Sequence, residues 1–125
     1  LTDRLRPAIV FPNRDEGRVL TGEREPERIA SALSERLSHA LVVLKLDADG
    51  ALVWIDGTAT HVPGLAVTPV DTTGAGDSFA GAFLARWLRG DDPVTATVEA
   101  VRVSAFVVAH HGARPAVTNG VRPRS

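Results

Sequence analysis

The chain has 125 residues, and 44 % of them are hydrophobic, which is enough for one domain with a buried core. Fourteen basic residues stand against fifteen acidic ones, so the formal charge of −1 predicts neither a nucleic acid nor an anionic membrane as a partner. Cysteine is absent, which excludes disulfides and thiolate metal sites. No apolar run is long enough to span a bilayer. Together these features favour a cytoplasmic protein.

The first half of the chain alternates between strand and helix patterns. The apolar run at residues 8–11 predicts a buried strand, and a turn and a short helix follow it. Residues 26–37 predict an amphipathic helix, because apolar side chains recur there every four positions. The β-branched run at residues 40–46 predicts a strand covered on both faces. Asp56-Gly57 predicts the turn of a hairpin.

Two helices are predicted in the second half. The first begins near Gly74 and ends at Gly90. The second is capped by Asp92, with proline in its first turn. One helix carries an aromatic stripe that we expect in the core, made of Phe79, Phe83 and Trp87. The other carries an apolar stripe made of Val94, Val98, Val101, Ala105 and Val108. Arg86 and Arg89 are predicted to lie on a solvated face, and a contact of either one with a partner is the alternative.

Strands interleaved with helices predict an α/β fold, in which a mostly parallel sheet is flanked by helices. The sequence contains no repeat and no low-complexity segment, and its composition indicates no internal domain boundary.

The segment VDTTGAGDSFAGAF, residues 70–83, holds three glycines, two aspartates and three hydroxyl residues before an apolar helix. The first N–H groups and the dipole of a helix that begins here favour an anion in the preceding loop. Gly74 and Gly76 permit close approach of a ligand to the backbone. Asp77, in the first turn, can accept a proton from a hydroxyl that attacks phosphorus. A tight loop with a helix cap is the alternative interpretation of the same residues. The P-loop pattern and its lysine are absent.

The sequence DTTGAGDSFAGAF resembles the C-terminal signature of the PfkB carbohydrate kinases, the ribokinase-like kinases. The matching residues are Asp71, Thr72, Gly74, Ala75, Gly76, Asp77, Phe79, Gly81 and Phe83. The resemblance implies the C-terminal part of a ribokinase-like three-layer sandwich and ATP-dependent transfer of a γ-phosphate to a sugar or nucleoside hydroxyl. It implies that Asp77 is the catalytic base and that the anion hole is formed by Gly74, Ala75, Gly76 and Asp77.

The segment PNRDE resembles the N-x-x-E motif of the same family, with Asn13 and Glu16 in place. The resemblance implies that these two residues act on Mg²⁺ through water, which suits a hard cation with oxygen ligands. Without the family context, Asn13 would be a turn residue and Glu16 a carboxylate at a helix start.

The segment VVLKLDADGALVW resembles the strand-turn-strand that borders the adenine nucleotide, and HHGARPAV resembles the late loop beside it. The nucleotide-binding positions implied are Lys45, Asp47, Gly50, Gly112 and Ala113. In potassium-activated members a monovalent cation is bound by carbonyls, which here would come from Asp71 and Thr73. The family usually has threonine or a similar residue, and glycine, where this chain has Lys45 and Asp47. Asp47 adds a negative charge near the expected path of the nucleotide phosphates.

The resemblance covers nearly the whole chain but only the C-terminal part of a family member. Residues 1–125 are therefore predicted to be the nucleotide-binding and catalytic portion, with the N-terminal substrate and lid portion absent. The start at Leu1 and the lack of methionine also favour a piece of a longer chain. The expected partners are a small sugar or nucleoside and either a second copy of the chain or the missing N-terminal half. A nucleotide-binding module without chemistry, or a fragment that needs another chain, is the alternative.

Overall fold

The computed structural model describes residues 8–65 and 75–111, without the side chains of Ala75 and of residues 108–111. Internal contacts divide the chain into two compact units, Leu1–Pro63 and Gly64–Ser125. The composition did not indicate this division, which falls at a proline-glycine pair just after a hairpin. In the described ranges, no helix has the length and apolar character needed to cross a membrane.

The first unit contains a four-stranded sheet and two helices. In chain order its elements are β1 (Ile9–Val10), α1 (Arg14–Thr21), α2 (Pro26–Arg36), β2 (Leu41–Lys45), β3 (Ala51–Ile55) and β4 (Thr58–Val62). A short 3₁₀ turn, Asp47–Asp49, joins β2 to β3. The predicted strands, helices and hairpin of this half are therefore confirmed, with boundaries that move by one or two residues. The expectation that the first strand is buried is wrong, because Ile9 and Val10 of β1, at the edge of the described sheet, are only half-buried.

The strand order is β1-β2-β3-β4, and the sheet is mixed. β1 pairs parallel with β2, because two helices carry the chain back between them. β2, β3 and β4 pair antiparallel, because the turns between them are too short for a crossover. The α/β fold is as expected. The mostly parallel character is not found in the described sheet, because two of its three connections are hairpin turns.

Helix α2 packs on the sheet through an apolar core. That core consists of Ile29, Ala30, Leu33, Val42, Leu44, Leu46 and Leu52. All four residues from Leu41 to Leu44 are buried, as their continuous apolar run predicts. Burying a leucine or isoleucine side chain contributes about 1.5–3 kcal/mol, so α2 and β2 carry much of the stability of this unit.

The second unit contains α3 (Ala75–Leu88) and α4 (Pro93–His111), which pack against each other. Phe79 and Phe83 are buried, and the Phe83 ring stacks on Trp87 with centroids 6.1 Å apart. Phe79 and Phe83 of the aromatic stripe are therefore confirmed as core, and Trp87 packs against Phe83 while half-buried. Asp92 caps α4 as predicted, because its Oδ1 accepts a hydrogen bond from the Thr95 N–H at 2.8 Å.

The apolar stripe predicted for α4 is partly wrong. Val98 is 52 % exposed, whereas Ala96, Thr97, Ala100 and Val101 are buried. The small alanines let the helices approach closely. The Thr97 hydroxyl donates to the Pro93 carbonyl oxygen at 2.8 Å, so the polar threonine side chain can be buried at little cost in free energy. The buried face of α4 is therefore rotated about the helix axis relative to the predicted valine stripe.

The prediction that Arg86 belongs to a solvated face is also wrong. Its Nη1 lies 3.1 Å from Asp91 Oδ2, and its Nη2 lies 3.5 Å from Glu99 Oε1. The side chain is only 33 % exposed, and the two ion pairs tie the end of α3 to the loop and helix that follow. Arg89 is exposed, as predicted.

Candidate functional site

The predicted site residues fall in both units, and each group is described within its own unit. The group in the first unit lies where β1 and β2 end. The Lys45 N–H donates to the Pro12 carbonyl oxygen at 2.8 Å, and Asn13 forms an isolated parallel bridge with Lys45. The segments that follow β1 and β2 therefore start next to each other at the same edge of the sheet. In α/β sheets, ligands bind beyond the carboxyl ends of the strands, which is where this group lies.

Asn13 and Glu16 form a capping box at the start of α1. This finding matches the structural interpretation of the two residues, and it leaves the magnesium role a prediction. Glu16 Oε1 is used by the cap, while the exposed side chain presents a second carboxylate oxygen toward solvent. Hard oxygen donors of this kind suit Mg²⁺. In the two described ranges, no group of three or more His, Asp or Glu side chains is placed to hold a metal ion.

Asp47 and Gly50 shape the turn between β2 and β3. Asp47 is exposed and has a φ of +54°, in the left-handed region that favours glycine. Gly50 has a φ of +92° and is buried, and its N–H donates to the Asp47 carbonyl oxygen at 3.1 Å. The Leu46 N–H donates to the Gly50 carbonyl oxygen at 2.8 Å and closes the turn. A side chain at position 50 would be strained at that φ, which explains glycine there.

Two further residues hold this turn in place, and the sequence patterns did not identify either role. Arg14 Nη2 lies 3.2 Å from Asp49 Oδ2, so the first turn of α1 is tied to the 3₁₀ turn. His61 Nε2 lies 2.7 Å from the Asp49 carbonyl oxygen, within hydrogen-bond distance. Neither contact has a sequence signal, because the partners are far apart in the chain.

The group in the second unit lies at the start of α3. The helix begins at Ala75, as the glycine-rich segment predicted, and its first turn contains Gly76 and Asp77, both exposed. The first N–H groups of a helix have no partner within it, so they are available to an anion. An exposed carboxylate in the first turn of the helix can reach a hydroxyl brought to the same place.

Five of the predicted site residues lie outside the described ranges. They are Asp71, Thr73, Gly74, Gly112 and Ala113. The start of the anion hole, the monovalent-cation carbonyls and the late nucleotide loop therefore stay predictions.

A family model described as pfkB family carbohydrate kinase matches residues 3–119. Among curated proteins, the chain is 38 % identical over 104 residues to 2-dehydro-3-deoxygluconokinase of Thermoproteus tenax, covering 83 % of this chain and 32 % of that one. It is 41 % identical over 88 residues to cytidine kinase of Thermococcus kodakarensis, covering 68 % of this chain and 31 % of that one. The chain thus spans about a third of the length of these relatives.

Solved structures agree with this match. Fructokinase from Vibrio cholerae O395, in its fructose-, ADP- and calcium-bound form, aligns with a TM-score of 0.74 at 34 % identity, over 86 % of this chain and 37 % of that one. Ribokinase from Thermotoga maritima aligns with a TM-score of 0.73 at 31 % identity, over 81 % of this chain and 35 % of that one. These alignments confirm the ribokinase-like fold. Since the family model covers nearly the whole sequence, the chain belongs to the pfkB family of carbohydrate kinases.

Proposed function

We propose that this chain is the nucleotide-binding and catalytic portion of a kinase that transfers the γ-phosphate of ATP to a hydroxyl of a sugar or nucleoside. Family membership supports a phosphotransferase role in general. The observation that carries the specific proposal is Asp77, an exposed carboxylate in the first turn of α3, within the segment that resembles the family signature. The named relatives, which include kinases of a sugar acid and of a nucleoside, support this range of substrates.

In the proposed reaction Asp77 accepts the proton of the substrate hydroxyl while that oxygen attacks the γ-phosphorus. The bond from the γ-phosphorus to the β-γ bridging oxygen breaks, and ADP leaves with the electron pair of that bond. The N–H groups of Gly74, Ala75, Gly76 and Asp77 would bind the charge on the transferred group. Positioning and electrostatic stabilisation account for most of the rate enhancement in such transfers.

The other implied residues would hold the nucleotide and its ions. Asn13 and Glu16 would orient Mg²⁺ through water, and Mg²⁺ would supply charge neutralisation at the phosphates. The carbonyls of Asp71 and Thr73 would bind K⁺. The nucleotide itself would lie along the residues already assigned to it, which are Lys45, Asp47, Gly50, Gly112 and Ala113.

A second candidate function is a nucleotide-binding module that has no activity without another chain. It is favoured by the coverage, because the chain aligns with only about a third of each relative. In both candidates, residues that select the sugar or nucleoside would come from an N-terminal portion or from a second copy of the chain.

The test combines MgATP calorimetry with transfer of labelled γ-phosphate to a panel of sugars, sugar acids and nucleosides. Asp77→Asn should bind MgATP like the unmodified chain and lose transfer by at least about a hundredfold, the usual contribution of a positioned base. Glu27→Gln is the matched control, because Glu27 is also an exposed acidic residue in the first turn of a helix, here α2.

The outcomes separate the two candidates. Transfer that Asp77→Asn leaves unchanged would remove Asp77 from the reaction. Saturable binding without transfer to any acceptor would favour the binding module. A folded chain that binds no MgATP would contradict both.

A further inference from the structure

We propose that Arg14 and His61 are positioning residues for the nucleotide: they hold Asp49 from two sides and so keep the turn between β2 and β3 in its binding conformation. This inference rests on the proposed function, which assigns Lys45 and Gly50, on either side of that turn, to the nucleotide. Neither Arg14 nor His61 is among the residues that the family resemblance assigns to the site. Both act through Asp49 and not by contact with the nucleotide.

Asp49 has a partner at each of its three polar groups, and the partners belong to three different segments. Its N–H donates to the Leu46 carbonyl oxygen at 3.0 Å, within the turn. Its Oδ2 accepts from Nη2 of Arg14, on α1, at 3.2 Å. Its carbonyl oxygen lies 2.7 Å from Nε2 of His61, on β4. Asp49 is therefore the residue through which α1 and β4 both hold the turn.

The contact from His61 is a hydrogen bond with a defined donor. A carbonyl oxygen only accepts, so the Nε2 atom of His61 carries the proton. The sheet register places His61 opposite Leu52, three residues after Asp49. The hairpin thus fixes the backbone from which the imidazole reaches the turn, and this anchor is independent of α1.

The contact from Arg14 joins the two groups of residues proposed for the metal and for the nucleotide. Arg14 lies between Asn13 and Glu16, and Asn13 forms a bridge with Lys45 at the end of β2. The Arg14 side chain is 31 % exposed and its partner carboxylate 71 %, and an ion pair with this exposure contributes little to overall stability. Its effect is therefore local, on the placement of the turn relative to α1.

Positioning and simple charge predict opposite effects at Asp49. If charge alone decides, removing this carboxylate from beside the proposed site removes a repulsion and strengthens binding of an anionic nucleotide. If Asp49 anchors the turn, the same removal releases the turn from α1. Binding then weakens, because the nucleotide must order the turn itself. Asp49→Ala therefore distinguishes the two roles by the sign of its effect.

The test measures the dissociation constant of MgATP by calorimetry for the unmodified chain, Arg14→Gln, Asp49→Ala, the double variant and the charge-swapped pair Arg14→Asp/Asp49→Arg. The matched controls are Arg18→Gln and Asp15→Ala, because Arg18 and Asp15 form an ion pair at 3.6 Å whose partners both lie in α1. His61→Phe removes the donor, whereas His61→Gln keeps a side-chain N–H. Circular dichroism and urea unfolding confirm that each variant is folded.

We expect Arg14→Gln and Asp49→Ala each to weaken MgATP binding by about three- to fivefold, the upper end of what an exposed ion pair contributes. The double variant should bind no more weakly than either single variant, and the charge-swapped pair should recover part of the affinity. His61→Phe should weaken binding by about three- to tenfold, as expected for one hydrogen bond, and His61→Gln should not. Arg18→Gln and Asp15→Ala should bind as the unmodified chain does.

Tighter binding by Asp49→Ala overturns the inference and leaves the proposed function standing, and so does unchanged binding by Arg14→Gln and Asp49→Ala. Equal losses in Arg18→Gln and Asp15→Ala also overturn it, because the effect would then reflect ion pairs on α1 in general. A loss in His61→Gln as large as that in His61→Phe contradicts the role of His61. If the folded unmodified chain binds no MgATP, the proposed function fails and the inference fails with it.

Discussion

Asn13 and Glu16 hydrogen-bond each other's backbone at the start of α1. Asn13 Oδ1 accepts from the Glu16 N–H at 2.7 Å, and Glu16 Oε1 accepts from the Asn13 N–H at 2.9 Å. Two N–H groups that the helix leaves unpaired are thereby satisfied. The motif that the family resemblance assigns to magnesium is thus also the element that starts the helix, and the two roles can be separated by substitution.

Glu16→Gln should separate them, because glutamine can also form the capping box but carries no charge. We expect the free energy of unfolding to change by less than about 0.5 kcal/mol, while the Mg²⁺ concentration needed for half-maximal ATP binding rises several-fold. Asn13→Ala should instead cost about 1 kcal/mol, since it removes the cap. Urea unfolding and a Mg²⁺ titration at fixed ATP measure the two effects. A Mg²⁺ requirement that Glu16→Gln does not change would leave the residue a cap only.

Gly76→Val should abolish the proposed phosphate cradle, because a branched side chain at the start of α3 would occupy the space that the phosphates approach. We expect MgATP affinity to fall at least about tenfold, or about 1.4 kcal/mol. Gly81→Val is the matched control, since Gly81 lies in the same helix, is exposed and has no atom within 4 Å of an added Cβ. Calorimetry measures the MgATP affinity of both variants. Equal affinities of Gly76→Val and Gly81→Val would argue against the phosphate cradle.

Gly17→Ala should destabilise the first unit although alanine is the better helix former. A Cβ at Gly17 would collide with Ile29 Cγ2 and would touch Leu44 Cδ1 at 3.6 Å, so α1 approaches α2 and β2 only because this residue has no side chain. We expect a net loss of about 1–2 kcal/mol, in which overpacking outweighs helix propensity. Gly81→Ala should stabilise by up to about 1 kcal/mol, because that position is open. Urea unfolding of the two variants should therefore give opposite signs.

The stability of the chain should fall in acid partly through Glu99. A side-chain hydrogen bond from Arg102, at 2.7 Å, lowers the pKa of Glu99 below its ordinary value of 4.5. A lowered folded pKa contributes stability above the ordinary value, and that stability is lost as the pH falls through the folded pKa. Glu99→Gln should therefore weaken the pH dependence of the unfolding free energy as the pH falls below 4.5.

In Glu99→Gln, the unfolding free energy should still fall in acid to some extent because of Asp92. The hydrogen bond from the Thr95 N–H lowers the pKa of Asp92 too. The measurement is urea unfolding at several pH values. Glu27→Gln is the control, since no ion pair engages Glu27 in the described part of the chain. If the unfolding free energy of the unmodified chain, Glu99→Gln and Glu27→Gln depends on pH in the same way, the Glu99 ion pairs contribute nothing to stability.

The sequence predicted the elements wherever local chemistry decides them. Asn13, Gly90 and Asp92 mark helix ends through capping and a left-handed residue, which depend only on a few neighbouring positions. The buried face of α4 was mispredicted because hydrophobicity alone places Val98 inside, whereas close helix packing selects alanines and a self-satisfied threonine.

The candidate site was predictable as far as short motifs extend. The segment around Asp77 and the pair Asn13 and Glu16 are local patterns, so their positions at helix starts followed from the sequence. The Arg14–Asp49 ion pair and the positive φ of Asp47 depend on how distant segments meet, and no spacing rule reports either.

The outer strand of the hairpin affects how this protein behaves at high concentration. In the described sheet β4 is the last strand, so one row of its backbone N–H and carbonyl groups has no strand partner among the described residues. The strand has only five residues, and Thr58 and His61 place exposed polar side chains along it. Short polar edges discourage strand addition between molecules. At this edge of the described sheet, strand addition between molecules is therefore disfavoured.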